Sequence, residues 1–451
     1  MIKSVKHMTT NQLSVFLLSF GLLPFTFLNA QQVPETMSLN DAVAIALKNN
    51  RDIQVAELDE KIARARYQQT SAIFLPQAAI SYSALTTNNP LNAFGFKLQQ
   101  RTITQNDFNP DQLNHPSATS DFSAKLEVQQ PLINPDLIWQ RKAAKNEAEL
   151  YEYKKIRTRE YLEFQVKNAY HQLQLAAEAG DVLEEALNTA RAIHTFTGNR
   201  LKQGLLQKSD LLNVKVTVSA IESDLASAKS GIRNASDLLS LLLNKPLGVV
   251  YRTEKLQQNA PIASKDESLQ VPSGRADLLA MQKAIEASGN GIKSTRLSWL
   301  PKLNAFGNYQ LNDQTFAGSG ATSWLAGIQL SWNIFSGNKT RNLVNQQKLD
   351  RDKLVVQFDA QKEQAQMELD KTYRDLSDSM FKTEQAKAAV EHAAEALRIL
   401  KNRYEQGLAN TTDVLAAQTQ LSQQKLSLVQ ATFLSNIAAE RLHFLTSSAN
   451  K

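Results

Sequence analysis

Two aspartates, Asp210 and Asp413, each stand six residues beyond a glycine in closely matching surroundings. Asn199-Arg200-Leu201-Lys202-Gln203-Gly204-Leu205, followed by Ser209-Asp210-Leu211-Leu212, is answered by Asn402-Arg403-Tyr404-Glu405-Gln406-Gly407-Leu408, followed by Thr412-Asp413-Val414-Leu415. Glycine enters a left-handed turn that other residues enter only at a cost, so each copy reads as the turn of a helical hairpin. A carboxylate in the first turn of the returning helix stabilises its N-terminus by roughly 0.3 to 1 kcal/mol. That is capping chemistry rather than catalysis. There is no nucleotide loop, no pair of histidines at ligand spacing and no nucleophile motif. A cysteine count of zero excludes a thiolate metal site, a catalytic cysteine, a disulfide framework and an acylated N-terminal cysteine. The six histidines, His171 and His392 among them, read as surface or packing residues. The expectation is a non-enzyme without catalytic, cofactor or metal site.

The elements that position these turns also occur twice, which marks an internal duplication. Leu75-Pro76 recurs as Leu300-Pro301, and the alternating run Phe122 to Ile133 recurs as Trp324 to Phe335. The first repeat is placed at 31–248, with a helix, a strand pair at 77–85 and 122–133, and a helical hairpin at 137–244. The second is placed at 274–448, with a helix, strands at 302–311 and 324–335, and a hairpin at 339–447. A Gly-, Pro- and polar-rich linker, 249–273, joins them. Ser38 is expected to cap the first helix, with Asp41 in its first turn. The loop from about Thr86 to Ser120 is long and rich in Asn, Pro and Gln, whereas its counterpart after Asn312 is short.

Lys3 and Lys6 precede an apolar run from Leu13 to Leu28, with Ala30 placed for cleavage. Residues 1–30 therefore read as a secretory signal peptide, and a retained anchor is the alternative. Removal of Lys3 and Lys6 would lower the formal charge of +6 to +4, too little to make nucleic acid or acidic lipid the main partner. After Ala30 nothing resembles a transmembrane helix, so a membrane span would have to be built from strands. Trp324, Ala326, Ile328, Leu330, Trp332 and Ile334 form a fully apolar face, alternating with a mostly polar one. A lipid-facing strand has this pattern, and so does a soluble antiparallel sheet with one buried face. Four strands cannot close a barrel, because about eight are needed before the interior holds side chains. Membrane-spanning strands would thus require an oligomer.

The helices make up most of the chain. From Gly337 onward there is no proline, and Gly407 is the one glycine that follows, so two uninterrupted helices hinged there are expected. Ala386, Val390, Ala393, Leu397, Leu400 and Tyr404 form a coiled-coil seam. The first hairpin carries Gly180, Gly198 and Gly231 and is expected to be less regular.

The paired turns, the Leu-Pro steps and Trp332-Asn333-Ile334-Phe335-Ser336-Gly337 give the chain a resemblance to the TolC family of outer-membrane efflux and secretion channels, over essentially all of the mature sequence. The resemblance implies an α+β membrane protein with four transmembrane strands per chain, a homotrimeric twelve-stranded barrel and a periplasmic tunnel of coiled-coil α-helical hairpins. It implies a passive exit duct in the outer membrane of a Gram-negative type cell. Cargo would be delivered by an inner-membrane pump or ABC transporter through a periplasmic membrane-fusion adaptor. In such channels the hairpin turns form the periplasmic tip. Gly204, Leu205, Gly407 and Leu408 would then dock the adaptor, and Asp413, Asp210, Tyr404, Ser209 and Thr412 would form the gate. Asp413, repeated around a threefold axis, would make a carboxylate ring that attracts cations. The family's second aspartate is Ala416 here and its usual gate arginine is Ala409, which implies weaker cation block and a less firmly held closed state. Tyr404 and Asp210 match positions that hydrogen-bond in the family's gate. A soluble periplasmic coiled-coil adaptor or scaffold is the alternative; its usual single hairpin contrasts with the two equivalent hairpins here.

Overall fold

A computed structural model describes residues 35–258 and 270–449. The leader expected at 1–30 and the middle of the expected linker lie outside the described residues. A short strand β1 (Glu35–Thr36) leads into α1 (Leu39–Asn49), α2 (Arg51–Gln69) and a 3-10 turn (Thr70–Phe74). Ser38 caps α1 by accepting from the Asp41 amide at 3.1 Å. The single helix expected before the first strand is broken at Asn50, whose backbone is extended and whose side chain restarts the helix by accepting from the Asp52 amide at 2.8 Å.

Strand β2 (Gln77–Thr87) precedes the long loop, which is not irregular. It carries α3 (Pro90–Gln99), a 3-10 turn and α4 (Pro110–Asn114) before β3 (Thr119–Ile133). Asn89 and Asn109 cap the two helices, and each is followed by a proline at the first helical position, where no amide is lost. The chain then forms α5 (Pro135–Lys202) and α6 (Lys208–Leu243). At 68 residues α5 is about 100 Å long. Contrary to expectation, neither helix is interrupted by its glycines. A Cβ on Gly180 would stand 3.5 Å from Ile232, and one on Gly198 3.8 Å from Leu211, so both glycines sit where the two helices approach closely.

The expected linker also contains regular structure. Strand β4 (Tyr251–Arg252) pairs in parallel with β1, tying the chain after the first hairpin to the residues before α1. Helix α7 (Ala276–Leu297) follows, then β5 (Lys302–Asp313), β6 (Ala321–Ser331), α8 (Lys339–Glu405) and α9 (Thr411–Leu445). β6 stops at Ser331, four residues short of the alternating run, because Trp332 turns to donate its indole N–H to the Trp299 carbonyl at 3.0 Å.

The long strands form one antiparallel sheet in the order β2-β3-β5-β6. Register brings Ile80, Leu126, Tyr309 and Trp324 into one row, and Ala78, Val128, Gly307 and Ala326 into another. These rows face outward, with Ile80 81% and Trp324 76% exposed. The other face carries Ser81, Lys125, Gln310 and Ser323 in register. The helices are packed in the usual sense, with apolar residues inward. Met37, Ile53, Leu162, Tyr170, Leu239 and Leu243 form a core where α1, the start of α2, α5 and α6 meet β4. Each fully buried leucine there contributes about 1.5 to 3 kcal/mol. A second core, around Leu369, Leu376, Leu442 and Leu445, joins α8 to α9.

Candidate functional site at the hairpin tips

Both hairpin turns are built the same way. Gly204 and Gly407 have φ of +74° and +77°. The Leu205 amide donates to the Arg200 carbonyl at 3.0 Å and the Leu408 amide to the Arg403 carbonyl at 2.8 Å, the six-to-one bond that closes a helix over a left-handed glycine. The leucines themselves have no cover, at 64% and 63% exposed. On the returning side, Asp210 accepts from the Gln207 amide at 3.1 Å and Asp413 from the Asn410 amide at 3.3 Å. Gln207 and Asn410 reciprocate to the amides of Asp210 and Asp413, so each turn carries a capping box. Ser209 Oγ donates to Gln207 Oε1 at 3.3 Å, while Thr412 is exposed.

Tyr404 joins the two hairpins of one chain. It is 3% exposed, and its hydroxyl lies 2.9 Å from Thr197 Oγ1 and 3.0 Å from Thr411 Oγ1. Thr197 also donates to the Ile193 carbonyl at 2.8 Å, which uses its proton. The bonds therefore run one way: Thr411 donates to Tyr404, Tyr404 to Thr197, and Thr197 to the backbone of α5. Around this chain pack Ile193 and Val214 of the first hairpin and Val414 and Leu415 of the second, with Phe196 at 5.2 Å from the Tyr404 ring. Within one chain the two tips are a single packed unit. Ala386, Val390, Ala393, Leu397 and Leu400 continue the half-buried seam above it.

Arg200 is a contact that sequence reasoning missed. Its guanidinium rests 4.8 Å above Phe196, and Nη2 donates to the Glu405 carbonyl at 2.6 Å, binding the last turn of α8 to the first hairpin. The signal lay inside the repeated Asn-Arg pair, where Arg200 served only to mark the repeat. Ala409 packs against the tip core, so the second turn carries a small apolar contact at this position. Ala416 is exposed.

At the far end of the sheet the long loop folds back over the polar face. Gln100 Nε2 donates to Asp121 Oδ1 at 2.9 Å and to the Ser120 carbonyl at 2.8 Å, and Asn312 Nδ2 donates to both oxygens of Asp121 at 3.1 and 2.9 Å. All three side chains are buried. Arg101 reaches the Thr322 carbonyl of β6 at 2.8 Å. Phe94 packs edge-on against Phe108 within the loop. Among the described residues, no helix is long and apolar enough to cross a membrane, and no cluster of three or more His, Asp or Glu side chains could hold a metal.

The model of a family described as outer membrane efflux protein matches residues 42–245 and 270–448. The chain is 22% identical over 408 residues to the cation efflux system protein CusC of Escherichia coli K12, covering 87% of this chain and 82% of that protein. It is 21% identical over 422 residues to the alkaline protease secretion protein AprF of Pseudomonas aeruginosa, covering 90% of this chain and 84% of AprF. The crystal structure of the Campylobacter jejuni CmeC outer membrane channel superposes with a TM-score of 0.76 at 18% identity, covering 90% of this chain and 85% of that one.

Proposed function

We infer the function from membership: the chain belongs to the outer membrane efflux protein family, whose model covers most of its length. It is an outer-membrane channel of an efflux or type I secretion system, a passive exit duct and not an enzyme. The single observation that carries the reading to this chain is the outward apolar row Ile80-Leu126-Tyr309-Trp324, with the polar face of the sheet opposite. Lipid on one side and water on the other is the environment in which that arrangement is stable.

Four strands leave two free edges, at β2 and β6, which hydrocarbon does not tolerate. The proposed assembly is therefore a homotrimer, in which twelve strands close the barrel and each β6 edge meets the next β2 edge. The helical wall has matching unpartnered edges, with exposed Val55, Leu58 and Ile62 on α2 and exposed Leu349 and Val356 on α8. The proposal includes an origin of the two halves by duplication, each supplying a strand pair and a hairpin. Leu205 and Leu408, held out on their glycine turns, are proposed as contacts for a periplasmic adaptor that brings cargo from an inner-membrane transporter. Asp413, with Asp210, Ser209 and Thr412 beside it, would line the entrance. Tyr404 would act from behind it by joining the hairpins.

Native mass spectrometry of the detergent-purified protein, after separation of inner and outer membranes, tests this. A trimer from the outer membrane is the expected result. A monomer or dimer released with soluble periplasm would overturn it in favour of a soluble scaffold.

A further inference from the structure

The formal charge of the chain is modest, but the fold does not distribute it evenly. Where the sheet gives way to helices, the first turns of α5 and α8 and the last turns of α7 carry Lys142, Lys293, Arg296, Lys339 and Arg341, all exposed. None of the five has a carboxylate within ion-pair distance among the described residues, although Arg and Lys elsewhere on the helices are commonly paired, as in Lys155 with Glu60 at 2.6 Å. Asp136, the one acid in those turns, is taken by Lys302 at 2.6 Å.

Two of these cations converge. Lys142 Nζ of α5 lies 4.0 Å from the centroid of the Trp139 ring, and Lys293 Nζ of α7 lies 4.4 Å from the same centroid. Two positive charges gathered about one indole favour a nearby anion. The side of the wall they occupy follows from Asp136. Its partner Lys302 shares the polar face of the sheet with Asn304 and Asn308, whereas Ile138 and Lys142 lie about 200° and 240° further round α5, and half-buried Trp139, at about 300°, stands between Lys142 and the Asp136 side. Ile138 is exposed there, as are Leu132 and Ile133 at the foot of the apolar face, and the end of β6 carries the Trp299–Trp332 pair, whose rings are 5.8 Å apart. An apolar surface ending in indoles, with unpaired lysines just beyond, matches the boundary between acyl chains and phosphate groups.

We propose that Trp139, Lys142 and Lys293 form a binding site for the phosphate of an anionic membrane phospholipid in the periplasmic leaflet. Trp139 positions the two ammonium groups, which contact the phosphate, with Arg296, Lys339 and Arg341 extending the positive belt around the wall. This rests on the outer-membrane channel reading. It also assigns an anchoring role to side chains in a chain that contains no cysteine to acylate.

The full-length protein, purified in neutral detergent, is mixed with equal amounts of phosphatidylglycerol and phosphatidylcholine, and retained lipids are counted by native mass spectrometry. The wild type is expected to retain phosphatidylglycerol preferentially, by about fivefold for each lysine. Lys142→Gln with Lys293→Gln should abolish the preference and Lys142→Arg with Lys293→Arg should keep it. Thermal melting confirms that both variants are folded. Equal retention of the two lipids by the wild type, or an unchanged preference in the glutamine variant, would overturn the proposal. So would displacement of phosphatidylglycerol by millimolar inorganic phosphate, which would make the site one for free anions. Membrane fractionation of the wild type is scored separately: its absence from the outer membrane would sink the channel reading whatever the lipid result.

Discussion

Tyr404 and Thr197 stand 207 residues apart in the chain, yet their hydroxyl oxygens are 2.9 Å apart in a site closed to solvent. Because Thr197 spends its proton on the Ile193 carbonyl, Tyr404 must donate in this bond and accept from Thr411. The two hairpins of one chain are thereby coupled by a directed series of bonds.

Tyr404→Phe removes both bonds while keeping the ring against Phe196. Two buried hydroxyls lose a partner, which costs about 1 to 3 kcal/mol locally. Amides at the starts of α6 and α9 should exchange about one to two orders of magnitude faster. If the coupling holds the entrance narrow, single-channel conductance in planar bilayers should rise with it. Faster exchange without a change in conductance would show that Tyr404 stabilises the tip without gating it.

Arg200→Ala should release the last turn of α8 from the first hairpin. Arg200→Gln, which can still donate to the Glu405 carbonyl but loses the stacked charge over Phe196, is expected to fall between the alanine variant and the wild type in conductance. An alanine variant indistinguishable from wild type would remove Arg200 from the entrance.

Gly204→Ala and Gly407→Ala should be equally costly, at about 1 to 2 kcal/mol each, because both glycines have positive φ and neither would crowd a neighbour. An added Cβ at Gly204 meets nothing within 4 Å, and one at Gly407 stands 3.6 Å from Arg200 Nη1. Melting temperatures of the two variants check this, and a much larger loss at Gly407 would reveal steric strain against Arg200.

His171 is buried on α5, with Nδ1 2.8 Å from Gln174 Oε1. Burial holds its pKa below the usual 6.5, against the Gln174 bond and the nearby Glu440, which favour the proton, and with Lys167, which opposes it. The unfolded chain therefore takes up a proton near 6.5 that the folded chain refuses. The stability contributed by neutral His171 is complete above that pH and declines as the pH falls toward the folded value. Thermal melts between pH 7.5 and 5.5 should show this slope in the wild type and a flatter one in His171→Asn.

In the long loop between β2 and β3, Lys97 pulls the Asp107 carboxyl down to about 2 through a 2.6 Å bond, with help from the Thr104 amide and hydroxyl. This ion pair contributes above the ordinary value of 3.8 and is lost only as the pH falls from there toward about 2. Limited proteolysis of the loop should therefore be unchanged between pH 7 and 4.5. Gln100→Ala, which withdraws an amide donor from Asp121, should increase cleavage at neutral pH.

How much of this was legible in the sequence depended on the range of the interaction. Gly204 and Gly407 could be read because a left-handed turn demands glycine whatever surrounds it. The alternation from Trp324 to Leu330 was visible because strand geometry repeats every two residues. Gly180 and Gly198 misled, since a glycine that weakens an isolated helix also lets two helices approach, and only packing distinguishes the two cases. The α3 helix was signalled by Asn89-Pro90 but hidden within a polar stretch. Arg200 was beyond local reading, because its target is a backbone carbonyl 205 residues away that carries no sequence identity.

The outward apolar rows of the sheet set it apart from the helices. The helical cores around Leu162 and Leu369 are already covered within one chain. A sheet exposing Ile80 and Trp324 cannot remain in water without attracting other chains at its open β2 and β6 edges. Outside a membrane such a sheet calls for its apolar rows and open edges to be shielded. The helical cores, covered within one chain, are independent of the bilayer in a way that the sheet is not.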